Sequence, residues 1–304
     1  MISVKDFHHS LPIALIEELS MDCIIPSPLF SEARSIIYTL KSSGRKLHIF
    51  TRTIDRVIAI SESNDSSHRL FADNIWPGTY VLADFLDSNP SICHSRTVLE
   101  LGAGCSLPSL VSSIHGASRT VATDYPDDSI IGNIEDVVKT NGIENVVILP
   151  YAWGTNPSFL LDAISDISSD DSCTTNTQQD WRQQQYDVIL LAEVLWKDTY
   201  SFHIDLLFTL QSCLSPSGIV LITIVHRPTT THSVDKDMEF LSRAKEQYGL
   251  QCRYLGLNHD YKDVFEDDRD KHCEVHLYVL FAREDDAYIL ESIDHWRQAS
   301  NSDD

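Results

Sequence analysis

The sequence predicts an α/β protein with a doubly wound, mostly parallel seven-stranded sheet, and three observations carry that prediction. The run Thr97-Val98-Leu99-Glu100-Leu101-Gly102-Ala103-Gly104 reads as a short apolar strand that ends in an acid and a glycine-rich turn. Helix-compatible residues 107–115 follow it at once, the strand–turn–helix corner that such sheets use to hold a ligand. From there, apolar runs of strand length alternate with helical patterns, the signature of repeated β–α units.

Residues 1–70 read as an N-terminal extension. Apolar patches at Leu15-Ile16 and Ile36-Ile37-Tyr38 have helix-like spacing, and residues 46–50 with 56–60 look like the strands of a β-hairpin. Residues 71–285 form the main domain. It opens with a helix over 76–86, whose apolar residues recur at three and four. After the glycine corner come a strand over 119–123 and a helix over 128–140 with Ile130, Ile131, Ile134 and Val137 inward. A strand over 145–149 and a helix over 159–167 follow. Residues 168–185 are polar and biased, which predicts a disordered insertion. The apolar run 186–191 has no alternation, as expected of a parallel strand buried on both faces. Then come a helix over 202–214, a turn over 215–218, a strand over 219–225 and a helix over 235–248. A short strand over 251–255 and a longer, alternating one over 274–282, antiparallel near the edge, close the domain. Residues 286–304 add a helix and a polar tail.

Composition limits what this fold can be used for. The chain has 304 residues, 42% of them hydrophobic, enough for one large core. No apolar run reaches the eighteen or so residues of a membrane span, and the first residues lack the basic and apolar stretches of a secretory signal. The 7 cysteines are scattered without a C-x-x-C pair. They read as reduced thiols of a cytosolic or nuclear protein rather than zinc ligands. A net charge of −22 argues against direct nucleic-acid binding and is compatible with a basic protein partner.

The glycine corner indicates a nucleoside-bearing cofactor. Glycines let the backbone approach a ligand without a Cβ in the way, and the amides at the following helix start are a slightly positive rim. The run Thr120-Val121-Ala122-Thr123 ends in Asp124, an acid placed at the neighbouring strand tip to take both hydroxyls of a ribose. A dinucleotide fingerprint would need a third glycine where Leu107 stands, and no lysine follows to make a phosphate loop. Glu100, two residues before the first glycine, suits a ligand end bearing an ammonium and a sulfonium, and suits a pyrophosphate badly.

E-x-G-x-G resembles the first motif of the seven-strand, class I S-adenosylmethionine-dependent methyltransferases. That resemblance implies that Glu100, Gly102 and Gly104 line the methionine side of S-adenosyl-L-methionine and that Asp124 holds its ribose. Four further fragments narrow the likeness: Asn74-Ile75-Trp76-Pro77, Tyr151-Ala152-Trp153-Gly154, Ala192-Glu193-Val194-Leu195-Trp196 and His226-Arg227-Pro228. Together they resemble the family-16, lysine methyltransferase-like branch. Val121 to Asp127 and Val264-Phe265-Glu266-Asp267-Asp268 resemble a group within it, the fungal nicotinamide N-methyltransferase-like enzymes assigned to the N-terminus and adjacent lysine of translation elongation factor 1-alpha. Residues 74–282 carry the resemblance. It implies cofactor contacts at Trp76, Trp153 and Ala192, catalytic roles for Glu193 and Trp196, and a protein amine as acceptor; the chain is separately expected to be a cytoplasmic monomer.

Two positions depart from the family pattern. Relatives usually carry Asp where this chain has Glu193, and Tyr, Phe or Asn where it has Trp196. Cys105-Ser106 replaces a small residue or a further glycine in the cofactor loop. The tryptophans have a plainer alternative as core aromatics, and Glu193 has one as an acid at a helix N-terminus. A small heteroaromatic amine such as nicotinamide is the alternative acceptor, and an inactive cofactor-binding scaffold is the non-enzymatic alternative.

Overall fold

A computed structural model of the chain describes residues 33–52, 72, 74–165, 185–226, 231–262, 273–282 and 293. Its first element is an antiparallel hairpin, β1 (Ala33–Thr39) paired with β2 (Lys46–Arg52). Ile36-Ile37-Tyr38, expected in a small helix, is therefore strand, and β2 pairs with it. The turn explains this. Gly44 adopts a left-handed φ of +69° and its N–H donates to the Leu40 carbonyl, folding the run back on itself. Two adjacent β-branched residues also favour the extended chain. Residues 56–60 and Leu15-Ile16 lie outside the described residues.

The main domain then follows the predicted alternation. Its helices are α1 (Pro77–Ser88), α2 (Leu107–Ile114), α3 (Asp128–Thr140), α4 (Ser158–Ser165), α5 (His203–Cys213) and α6 (Thr231–Tyr248). Its strands are β3 (Thr97–Leu101), β4 (Arg119–Asp124), β5 (Val146–Pro150), β6 (Tyr186–Ala192), β7 (Leu214–Val225), β8 (Gln251–Asn258) and β9 (Val275–Phe281). The seven strands form one sheet in the order β5-β4-β3-β6-β7-β9-β8. All neighbours are parallel except β9, which runs antiparallel to both β7 and β8. The chain winds outward from β3 through β4 and β5, then returns to the other side of β3 as β6. That reversal opens a crevice at the carboxyl ends of β3 and β6.

Both faces of the sheet are covered, so its central strands are predominantly apolar. Val98, Val188, Leu190 and Leu221 pack with Leu82 and Leu86 of α1, Leu110 of α2 and Ile134 of α3. Leu99, Leu101, Ile189 and Ile222 pack with Leu160 of α4, Leu207 of α5 and Phe240 of α6. Pro77 at the first position of α1 pre-sets a helical φ, and Asp127 caps α3 by accepting the Ser129 N–H at 2.9 Å.

Residues 215–218, expected to form a turn, are instead part of β7. Pairing with β6 jumps from Tyr186–Leu214 to Val188–Ile219, a bulge that absorbs them. Gly218 makes this possible, because a Cβ there would lie 2.8 Å from the Tyr186 carbonyl oxygen. The 168–185 insertion (save Gln185), Arg227-Pro228, the acidic run 264–268 and the last helix (save Ile293) lie outside the described residues. No helix among the described residues is long and apolar enough to cross a membrane.

Candidate cofactor and acceptor site

Strand register brings the predicted residues to one edge. Glu100 sits opposite Ala122 of β4 and Leu190 of β6, so two residues on, Gly102, Asp124 and Ala192 stand at one level. Ala192 is in turn opposite Thr223 of β7. The motifs are scattered over the chain and share the carboxyl edge of the sheet.

At the β3 corner, Gly102 and Gly104 have left-handed φ values of +73° and +50°. A Cβ on Gly102 would lie 2.9 Å from Val194 Cγ1 and 3.5 Å from Trp153 Cζ2, so the loop, the β5 end and the β6 end meet there. Glu100 is fully buried below this loop. Its Oε2 accepts the Ser109 N–H at 3.0 Å and the Ser109 hydroxyl, capping α2. Its Oε1 is buried with no hydrogen-bond partner. Burial pushes the carboxyl up to about 8 against the lowering effect of Ser109, and the Asp124 charge adds to the rise.

Asp124 closes the corner from the neighbouring strand. Its Oδ2 accepts the Gly104 N–H and its Oδ1 the Tyr125 N–H, each at 2.7 Å. Burial pushes it up to about 6, the two amides pull it down, and Asp127 adds to the rise. A carboxylate oxygen has two lone pairs, so one amide bond on each leaves capacity for a diol.

At the β6 end, Glu193 is buried and has a left-handed φ of +55°, rare for a residue with a side chain. Its Oε2 accepts the Gly78 N–H at 2.7 Å, one of the amides that the first turn of α1 leaves unpaired. The plainer role foreseen for this acid is thus real, and the helix it caps is α1. Trp196 folds back so that its Nε1 donates to the Glu193 carbonyl at 2.5 Å. Its ring meets that of Trp76 edge-on, with centroids 4.6 Å apart. Trp76, separated from Trp196 by 120 positions in the chain, is buried and is brought to the β6 end by this contact.

Gly78 and Thr223 belong to this site and were missed in the sequence. A Cβ on Gly78 would lie 2.7 Å from Thr223 Oγ1 and 2.9 Å from Glu193 Oε2. The signals were a glycine just after Trp76-Pro77 and a lone threonine in the apolar run 219–225. His226, past the end of β7, bonds Asp237 Oδ2 of α6 through Nδ1 at 3.0 Å and packs on His276. Among the described residues no group of His, Cys, Asp and Glu could hold a metal ion.

This residue set fits S-adenosylmethionine. A buried acid with an unpartnered oxygen lies below a loop whose first glycine has no room for a side chain, and a second acid stands at the tip of the next strand. A sheet in this order with that corner at its reversal point defines a Rossmann-like, S-adenosylmethionine-dependent methyltransferase.

No family model matches the chain. Its curated relatives include the protein N-terminal and lysine N-methyltransferase efm7 of Schizosaccharomyces pombe, 31% identical over 207 residues, 66% of this chain and 73% of that one. The corresponding EFM7 of Candida glabrata is 31% identical over 209 residues, 67% of this chain and 73% of that one. Among solved structures, a methyltransferase from Pyrococcus furiosus has a TM-score of 0.42 and 15% identity, covering 67% of this chain and 80% of that one. The chain belongs to the EFM7 family of protein N-terminal and lysine N-methyltransferases.

Proposed function

We propose that this enzyme methylates the N-terminal α-amine, a lysine side chain, or both, of a protein, and that translation elongation factor 1-alpha is that protein. The carrying observation is the buried Glu193 beside the Trp76–Trp196 pair at the carboxyl end of β6, an acid and two aromatic rings where an amine would enter. Family membership supports the protein acceptor. We assign the cytoplasm as its compartment and the monomer as its working form.

Bound S-adenosylmethionine supplies a methyl group already activated on a sulfonium. Glu100, Gly102 and Gly104 would hold its methionine end, Asp124 its ribose and Trp153 its adenine, with Ala192 and Trp76 lining the remainder. The protein's task is positioning and desolvation more than acid–base strength. The acceptor must be neutral to attack, and free lysine has a pKa of about 10.4 while an α-amine has about 7.7–8.0. Glu193 holds the incoming ammonium and orients its nitrogen, and Trp196 walls the site and stabilises the cation that methylation leaves behind. The proton leaves to solvent.

The test is transfer of labelled methyl groups in an extract that lacks the endogenous enzyme, comparing wild type with Asp124→Ala. A labelled band at the mass of elongation factor 1-alpha, absent with the variant, is expected. Label confined to small molecules would point to a heteroaromatic amine, and cofactor binding without any transfer would point to a scaffold.

A further inference from the structure

Three residues close a ring of hydrogen bonds beneath the acceptor end of the crevice. The Gly78 N–H donates to Glu193 Oε2 at 2.7 Å, the Glu193 N–H donates to the Thr223 carbonyl at 3.1 Å, and Thr223 Oγ1 donates to the Gly78 carbonyl at 3.1 Å. Each residue comes from a different element: the first turn of α1, the end of β6 and the body of β7. Glu193 is 3% exposed and Thr223 is fully buried. The ring is also sterically closed, because a side chain at Gly78 would collide with both partners.

The ring accounts for two otherwise odd features. Glu193 holds a left-handed backbone that a side chain disfavours, and such a conformation persists only where the surroundings over-determine it. Thr223 places a hydroxyl among Leu221, Ile222, Ile224 and Val225, where a buried polar group has to find a partner. Its partner is the carbonyl of Gly78, the residue whose N–H, in the preceding peptide unit, bonds the Glu193 carboxylate.

We propose that Thr223 is a positioning residue for methyl transfer. Its hydroxyl holds the Gly78 carbonyl, and with that residue's backbone so anchored its N–H, in the preceding peptide unit, fixes the Glu193 carboxylate under the acceptor amine. Fully buried, Thr223 acts only through Glu193. The inference rests on Glu193 as the acid that holds the acceptor, and it adds a requirement that this acid be clamped from two other elements.

The experiment compares wild type with Thr223→Val, Thr223→Ser and Glu193→Gln. It measures kcat and KM with the protein acceptor, calorimetric affinity for S-adenosylhomocysteine, and the thermal midpoint. Thr223→Val should lower kcat roughly tenfold while the cofactor-product affinity stays within about twofold, and Thr223→Ser should recover most of the rate. A Val variant with wild-type kcat would overturn the proposal. So would Val and Ser variants slowed alike, which would make the methyl rather than the hydroxyl the important group. A parallel fall in kcat, affinity and midpoint would reduce Thr223 to a structural strut. Full turnover by Glu193→Gln would instead remove the acceptor-acid reading on which the ring's function depends.

Discussion

Glu100→Gln should abolish a pH dependence of stability that comes from one buried carboxyl. Glu100 has no exposed surface, and burial raises it from 4.5 to about 8. Between those values the folded protein holds a proton that the unfolded chain has released, so stability falls as pH rises through the window and levels off above it. Integrating that proton difference from pH 6 to pH 8 gives a loss of about 2 kcal/mol attributable to this group. Glutamine has no such proton, and its amide oxygen can still accept from Ser109. Urea unfolding of the two proteins at pH 6 and pH 8, without cofactor, measures the difference directly. Wild type should lose about 2 kcal/mol more than the variant over that interval. Parallel pH dependences would refute the reasoning and mean that Glu100 is ionised in the folded protein. A cationic ligand near Oε1 should favour the ionised form, so cofactor binding near neutral pH should release a proton. Binding enthalpies measured in buffers of different ionisation heat would register it.

Three other outcomes follow from the same geometry. Asp124, raised to about 6, must be ionised to accept two ribose hydroxyls, so its titration alone should lower cofactor affinity about tenfold from pH 8 to pH 5, beside the change linked to Glu100. In a Glu100→Gln background, Asp124→Asn should bind weakly and lose this dependence, which titration calorimetry at both pH values checks. Gly78→Ala gains helix propensity of up to about 1 kcal/mol but must push Thr223 or Glu193 aside at about 1–3 kcal/mol, and should lower both the unfolding midpoint and kcat. Glu193→Ala leaves the Gly78 amide without its partner at a cost of about 1–3 kcal/mol. Glu193→Gln can keep that bond, so the alanine variant alone should show a large drop in thermal midpoint, while both lose turnover.

The parts of this site that were legible in the sequence are those set by local chemistry. The glycine pair and Asp124 announce themselves by spacing, because an acid at the end of one strand and a glycine turn at the end of the next are neighbours in any parallel sheet of this kind. The structure brings them together, with the Gly104 amide on Asp124. Helix α3 was readable to the residue because Asp127, its cap, and a 3.6-residue apolar repeat both mark it. Contacts over long separations were not legible. Nothing local to Glu193 says that its carboxylate caps a helix 115 residues earlier, or that Trp76 packs on Trp196. The strand β1 is a case of the opposite kind. Ile36-Ile37-Tyr38 has the spacing of a short helical patch, and the left-handed turn at Gly44 folds it back on β2 as strand. Residues 215–218 carry the proline and glycine of a turn, yet close packing of Gly218 on the Tyr186 carbonyl keeps them in β7.

The most direct test of the central claim is mass spectrometry of purified elongation factor 1-alpha incubated with the enzyme and S-adenosylmethionine. The account predicts added methyl groups on the N-terminal α-amine, on a lysine, or on both, dependent on Asp124 and Glu193. An unmodified factor alongside methylation of a small heteroaromatic amine would contradict it.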